Sequence, residues 1–164
     1  AFFPGSSLGN FAPDDALLFL KNVRQSVGEN GALLIGLDLI KDHGVLNAAY
    51  NDVQGVTEAF NLNVLSHLNQ LGSGSFNLDF FEHKAFFNAQ DSRIEMHLVS
   101  KIDQVVNLFS QSLTFKQGEH IVTEYSYKFD ANGFMEFAKQ AGFEGKHVWQ
   151  DDGSNFALFW LETI

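Results

Sequence analysis

With 164 residues, 45% of them hydrophobic, the chain is long enough to bury one sizeable core and too short to require two ordinary domains. Twenty acidic against ten basic residues give a formal charge of −10, which opposes the phosphate neutralisation that nucleic-acid binding needs; zero cysteines rule out disulfides, thiolate catalysis and cysteine-held metals. There is no apolar run of about 18 residues, and no basic segment leading into an apolar stretch and a small-residue cleavage site, so neither a membrane span nor a secretory leader is predicted and the cytoplasm is the expected compartment.

Taken in chain order, Ala1, Phe2 and Phe3 read as the last residues of a buried strand, followed at once by the loop Pro4 to Asn10. Pro13-Asp14-Asp15 opens an amphipathic helix with apolar positions Ala16, Leu20, Val23 and Val27, and Gly28 sits past its end. Residues 32 to 39 (ALLIGLDL) are nearly all apolar, as in a strand covered on both faces. Val56, Phe60, Val64 and Leu68 recur every four residues and predict a second amphipathic helix that runs out at Gly72-Ser73-Gly74.

From 83 to 129 the pattern changes to strands. Ile94, Met96 and Leu98 alternate with Arg93, Glu95 and His97, and a second alternating run covers Ile121 to Phe129, so antiparallel pairing is expected. Asp130 then caps a helix carrying Phe134, Ala138 and Ala141 and ending at Gly142, and strands at 146 to 150 and 156 to 164 flank the turn Asp151 to Asn155. This order is similar to the second half of a class I (Rossmann-like) methyltransferase sheet of the α/β class, with an inserted antiparallel α+β layer that would bind substrate. On that reading residues 1–42 and 130–164 form the sheet portion and 43–129 the insertion, all within a single unit. A ligand would sit outside the carboxyl ends of the parallel strands.

Three places carry chemistry. In the Pro4 to Asn10 loop, backbone can approach a ligand closely and the Asn10 amide can point into a crevice, or bond its own backbone as in an ordinary turn. Tyr50 brings a donor-acceptor hydroxyl on a rigid ring just after the buried strand, with plain packing as the alternative. Glu124 and Ser126 stand two residues apart on a strand and share a face, so a long acceptor and a short hydroxyl could together satisfy both ring nitrogens of a neutral imidazole. A solvated face with Lys128 pairing Glu124 is the alternative there. The six histidines (43, 67, 83, 97, 120 and 147) show no helix pair or carboxylate cluster at metal spacing, so no metal site is expected.

The segments FFPGSSLGNF (2 to 11), LIGLDLIKD (34 to 42), LNAAYNDVQGVTEAFNLNVL (46 to 65), RIEMHLVS (93 to 100) and TEYSYKF (123 to 129) together resemble the histidine-specific S-adenosylmethionine-dependent methyltransferases, in order and over nearly the whole chain. That resemblance implies methylation of the α-amine of L-histidine to the trimethylated betaine hercynine, on the way to ergothioneine. It implies that Asn10 and Tyr50 hold the amino-acid end of the substrate and that Glu124, Tyr125 and Ser126 read the imidazole. Met96 would pack on the ring, Thr57 would lie near the amine, and Gly5 would lie near the amine and the methyl donor, S-adenosylmethionine. No residue stands out as an obligatory base. The family's main cofactor-binding turn and acidic residues are expected upstream of Ala1, so this stretch alone is expected to be inactive and to expose apolar surface near Phe2, Phe3 and residues 32 to 39, through which two copies could pair. A non-catalytic binding module, and a methyltransferase for another amino acid or amine such as a prenylated tryptophan, are the alternatives.

Overall fold

In the computed structural model, which describes residues 1–164, the chain forms two compact units. The first comprises Ala1–Asp42, Asn88–Arg93 and Tyr125–Ile164; the second comprises His43–Phe87 and Ile94–Glu124.

The first unit is built on a four-stranded sheet of β1 (Phe2–Phe3), β2 (Ala32–Asp38), β9 (Phe156–Thr163) and β8 (Phe143–Gln150), in the order β1-β2-β9-β8. Strand β1 runs parallel to β2, with Phe2 opposite Leu34 and Phe3 opposite Ile35. The pairings of β2 with β9 and of β9 with β8 are antiparallel, so the chain closes on the hairpin that the Asp151 to Asn155 turn predicts. Asp151 organises that turn by accepting from the Asn155 side-chain amide at 2.9 Å and from the backbone amides of Phe156 and Asn155 at 2.7 and 2.6 Å, which together hold its carboxyl down at about 2.

Helix α1 (Pro13–Val27) begins with proline and two acidic residues in its first turn, which suit the positive end of a helix dipole. It ends at Gly28, whose φ of +73° is a conformation that a residue with a Cβ rarely adopts. Helix α4 (Ala131–Lys139) starts where Asp130 accepts a hydrogen bond from the Gly133 amide at 2.7 Å. Ala16 and Leu20 of α1 and Phe134 and Ala138 of α4 are buried with Leu33, Ile35, Leu37, Phe143, Phe159 and Leu161 of the sheet. Because β2 lies inside the sheet, the apolar exposure expected along residues 32 to 39 is confined to the neighbouring β1, where Phe2 is 69% exposed.

The second unit contains α2 (His43–Tyr50), α3 (Val56–Gly72), β3 (Phe81–Asn88) and β4 (Arg93–Ser100), with β5 (Gln104–Leu108) and β6 (Gln111–Phe115) forming an antiparallel hairpin. Strand β7 (His120–Tyr127) joins β4 in a sheet of order β3-β4-β7 and carries the chain from the second unit into the first. Only four residues join β3 to β4, too few for a parallel crossover, so that pair is antiparallel as expected.

Two local expectations change. Of the four-residue recurrence in α3, Val56, Phe60 and Val64 face out, the first two each 63% exposed, and only Leu68 packs inward, while the buried face carries Asn61, Leu65 and Gly72. Periodicity locates stripes without saying which one is covered, and here a polar asparagine replaces a hydrophobe on the covered one. In β4 the polar positions Glu95 and His97 are buried at 8% and 7% exposure, because each satisfies the other at 3.1 Å.

Gly36 is the tightest point of the first sheet: a Cβ there would collide with the Pro4 carbonyl oxygen and come within 2.9 Å of the Phe156 ring. Gly36→Ala is expected to lower stability by about 1 to 3 kcal/mol through that overpacking. Gly5→Ala, where a Cβ would meet only Ser7 Oγ at 3.7 Å, should stay within about 0.5 kcal/mol. Thermal or urea unfolding of the two variants tests the contrast.

Candidate functional site

The turn after β1 is tied down by its own polar atoms. Ser6 adopts a left-handed φ of +58°, donates its amide to the Gly36 carbonyl at 3.0 Å, and accepts from the Asp38 amide through its hydroxyl at 2.8 Å. Residues Ser7–Asn10 form a single 3-10 turn in place of an open loop. Gly9 allows that turn to lie against β7: a Cβ at this position would stand 2.7 Å from the Tyr127 carbonyl oxygen. Asn10 then donates its side-chain amide to the Tyr125 carbonyl at 2.9 Å, at the end of β7.

Tyr125 and Ser126 sit in this same part of the first unit. The Arg93 guanidinium stacks 3.9 Å from the centre of the Tyr125 ring, donates to the Tyr127 hydroxyl at 2.8 Å, and pairs with Asp91 at 3.2 Å. Ser126 is buried, and its Oγ accepts from Lys128 Nζ at 2.8 Å. Lys128, whose side chain is 1% exposed, also pairs with Asp38 at 2.9 Å, and Asp38 is held from its other side by Lys41 at 2.5 Å. The sequence suggests Lys128 only as a partner of Glu124 on a solvated face and gives Asp38 and Arg93 no role, whereas Lys128 is buried and pairs with Asp38. Two signals pointed to them: an aspartate ending an otherwise apolar strand, and a lysine flanked by Tyr127 and Phe129, each of which needs a partner if buried.

Tyr50, Thr57, Met96 and Glu124 belong to the second unit. Tyr50 ends α2 and packs with Leu46, Ala85, Ile94 and Met96, of which Met96 is 2% exposed. The Tyr50 carbonyl accepts from His83 Nε2 at 2.8 Å. Since a carbonyl only accepts, Nε2 carries the proton and Nδ1 is left to accept from the Asn61 amide at 2.9 Å. Asn61 also donates to the His97 carbonyl at 3.1 Å, and its own Oδ1 is buried without a protein partner. His97 stacks on His120 with ring centres 4.3 Å apart and planes within 4°. Burial pushes His97 below the usual imidazole range, the hydrogen bond to Glu95 pulls it back up, and the neighbouring His120 lowers it again. Thr57 sits in the first turn of α3, where its amide donates to Asp52 at 2.8 Å, and Glu124 is half-buried in β7.

At Gly5 the missing Cβ faces open space apart from Ser7 Oγ at 3.7 Å. A groove of about 340 Å³ in the first unit is mostly apolar, lined by Phe11, Ile40, Phe129, Phe134 and Phe137 with Lys128 and Asp130 at its polar side, and neither Asn10 nor Ser126 lines it.

Asp52 caps α3 by accepting from the amides of Thr57 and Val56 at 2.8 and 2.9 Å, and these bonds hold its carboxyl at about 2. A carboxylate depressed in this way stabilises the turn above its free pKa of about 4, and the contribution is lost as pH falls through the folded value. Protection of the Val56 and Thr57 amides, relative to their intrinsic exchange rates, should therefore be lost between pH 4 and 2, and should already be low at pH 7 in Asp52→Ala.

The family model described as a histidine-specific, SAM-dependent methyltransferase matches residues 1–163. The histidine N-alpha-methyltransferase of Mycolicibacterium smegmatis is 39% identical over 158 residues, covering 95% of this chain and 49% of that protein. Its namesake from Mycobacterium tuberculosis is 36% identical with the same coverage, and a 4-dimethylallyltryptophan N-methyltransferase of Epichloe festucae var. lolii is 27% identical over 96% of this chain. The chain thus spans about half the length of the curated relatives it matches. Among solved structures, the CcbJ methyltransferase of Streptomyces caelestis superposes with a TM-score of 0.50 at 12% identity, covering 99% of this chain and 59% of its own, which is a likeness of fold. With an α/β architecture that agrees with part of a class I methyltransferase sheet and a family match over all but its last residue, the chain belongs to the histidine-specific, SAM-dependent methyltransferases.

Proposed function

We propose that the protein carrying this chain transfers methyl groups from S-adenosylmethionine to the α-amine of L-histidine, and that this chain supplies most of the substrate-recognising groups. The observation that carries the reading is the assembly at the end of β7, where Asn10 is locked onto the Tyr125 carbonyl and Ser126 presents a buried hydroxyl held by Lys128. An imidazole offers one donor and one acceptor when neutral, and Ser126 with Glu124, two residues earlier on the strand, is a matched set for it.

In this reading Asn10 and Tyr50 hold the amino-acid end, Glu124, Tyr125 and Ser126 read the ring, and Met96 packs on it. Thr57, with its amide engaged by Asp52, would act near the amine, and Gly5 would leave its backbone open toward the cofactor. Residues 43–129 serve as the substrate-binding layer, and residues 1–42 and 130–164 as the sheet portion. S-adenosylmethionine supplies an electrophilic methyl group when bound. What the chain's residues must do is orient the amine so that its lone pair lies in line with that group. The amine is mostly protonated at neutral pH, so it sheds a proton to water or a nearby acceptor before each transfer.

A prenylated tryptophan suits the same groups less well, because an indole presents a single donor nitrogen and no acceptor for the Ser126 hydroxyl. A formal charge of −10 favours a small-molecule partner over nucleic acid, and no helix is long and apolar enough to cross a membrane. A cytoplasmic location, and pairing of two copies near the exposed Phe2, belong to the same proposal.

Methylation of L-histidine by the complete protein, followed by mass spectrometry, tests the activity. Calorimetric titration tests the roles. Glu124→Ala and Ser126→Ala should each weaken histidine binding by about 1 to 3 kcal/mol, the cost of leaving a buried ring nitrogen unpaired. Asn10→Ala and Tyr50→Phe should weaken histidine and leave S-adenosylmethionine binding intact. Undiminished histidine affinity in all four variants would remove the basis of the reading.

A further inference from the structure

Lys128 does more at Ser126 than fill space. Its ammonium lies 2.8 Å from Ser126 Oγ and 2.9 Å from Asp38, with the side chain 1% exposed. An ammonium has three N–H donors and no lone pair, so in the Lys128–Ser126 contact the serine oxygen can only accept. Every hydrogen bond in which the Ser126 hydroxyl is the donor therefore runs to some other acceptor. The ammonium is itself fixed in direction, because Asp38 ends β2, receives Lys41, and has its backbone amide bonded to Ser6 Oγ at 2.8 Å.

We propose that Lys128 is a specificity-determining positioning residue: by holding the Ser126 hydroxyl as a hydrogen-bond donor, it makes the site select an amino acid whose ring presents an unprotonated nitrogen, the neutral imidazole, over the imidazolium. The proposal rests on the reading of Ser126 given under Proposed function. Neutral imidazole presents one acceptor nitrogen and one N–H, which match a donating hydroxyl and the Glu124 carboxylate. An imidazolium presents two N–H groups and no acceptor, so one of them would point at the hydroxyl hydrogen. A hydroxyl without such a neighbour rotates to accept as readily as to donate and would not distinguish the two forms.

The other charged and titratable groups around this point are Asp38 and Lys41 at the end of β2, Asp91 and Arg93 with Tyr125 and Tyr127, Glu124 earlier on β7, and Asp130 after it. Their own titration has to be separated from that of the ligand. A histidine analogue carrying a 1,2,4-triazole ring, which keeps an acceptor nitrogen and stays neutral across the range used, provides that control.

The experiment is calorimetric titration of the complete protein with L-histidine and with the triazole analogue between pH 8 and pH 5. For the unaltered protein, histidine affinity should fall about 30-fold across this range, following the neutral fraction of a ring with pKa near 6.5, while affinity for the analogue stays nearly level. Lys128→Met and Lys128→Gln should flatten the histidine profile to a few-fold, whereas Lys128→Arg, another donor-only cation, should retain it. Combining Lys128→Met with Ser126→Ala should flatten no further than Ser126→Ala alone, which identifies the hydroxyl as the route. Circular dichroism checks that the neutral variants fold; should they fail to fold, Ser126→Ala, which leaves the Lys128–Asp38 pair in place, must itself flatten the profile. A steep profile retained in the folded neutral variants, or in Ser126→Ala, overturns the proposal, and so does extra flattening in the double variant, which would mean that charge alone is responsible. Unchanged histidine affinity in Ser126→Ala at pH 8 overturns the underlying reading of the site instead.

Discussion

A single buried ammonium, that of Lys128, ties together the groups on which the first unit's polar chemistry depends. Taking a lysine out of water costs several kcal/mol unless its donors are met, and breaking such a pair by removing one partner costs about 3 to 5 kcal/mol where both charges are buried. Asp38 keeps 23% of its side-chain exposure, so the cost here falls below that range. The geometric effect is larger than the energetic one. Asp38 at the end of β2 and Ser126 near the end of β7 are held to one Nζ atom, and the Ser6 hydroxyl, bonded to the Asp38 amide, brings in the turn after β1. Three chain segments distant in sequence are registered by four polar groups, and the Gly9 contact with Tyr127 and the Asn10 bond to Tyr125 follow the same register.

The second unit solves a different problem. Tyr50 ends a short helix whose last carbonyls need donors, and His83 supplies one from β3. Asn61, on the covered face of α3, donates to the His83 nitrogen left as acceptor and also to the His97 carbonyl. A leucine at Asn61 would bury more apolar surface, yet it would leave the His83 nitrogen and the His97 carbonyl unmet, each at about 1 to 3 kcal/mol. This accounts for a polar residue where helical periodicity predicts a hydrophobe.

Sequence patterns located most of the fold because the signals were local. Pro13 with Asp14 and Asp15, Gly28 with its positive φ, the Asp130 cap and the Asp151 turn each act within a few residues, and each stands where expected. Helix α2 leaves little trace in the sequence because its eight residues include a glycine and lack a cap signal, and the β5–β6 hairpin because both strands are short and mostly polar. The quoted motifs brought out Asn10 and the Glu124 to Ser126 segment, but Lys128, Asp38, Arg93, His83 and Asn61 become visible only in three dimensions. Their roles come from partners dozens of residues away, as with Asp38 and Lys128, and no spacing rule reaches that far.

The His97–His120 stack sets how the second unit meets acid. Two imidazole rings lying face to face at 4.3 Å repel once both carry a proton, and burial already makes the His97 ring reluctant to accept one. The unfolded chain has no such reluctance, so it binds protons first as pH falls below the ordinary histidine range near 6.5. Stability therefore drains from the β4 and β7 strands in mild acid, well above the range in which the Asp52 and Asp151 carboxylates titrate. In acidified surroundings the margin against unfolding of β4 and β7 narrows, with both strands still formed, before the cap of α3 and the closing hairpin are touched.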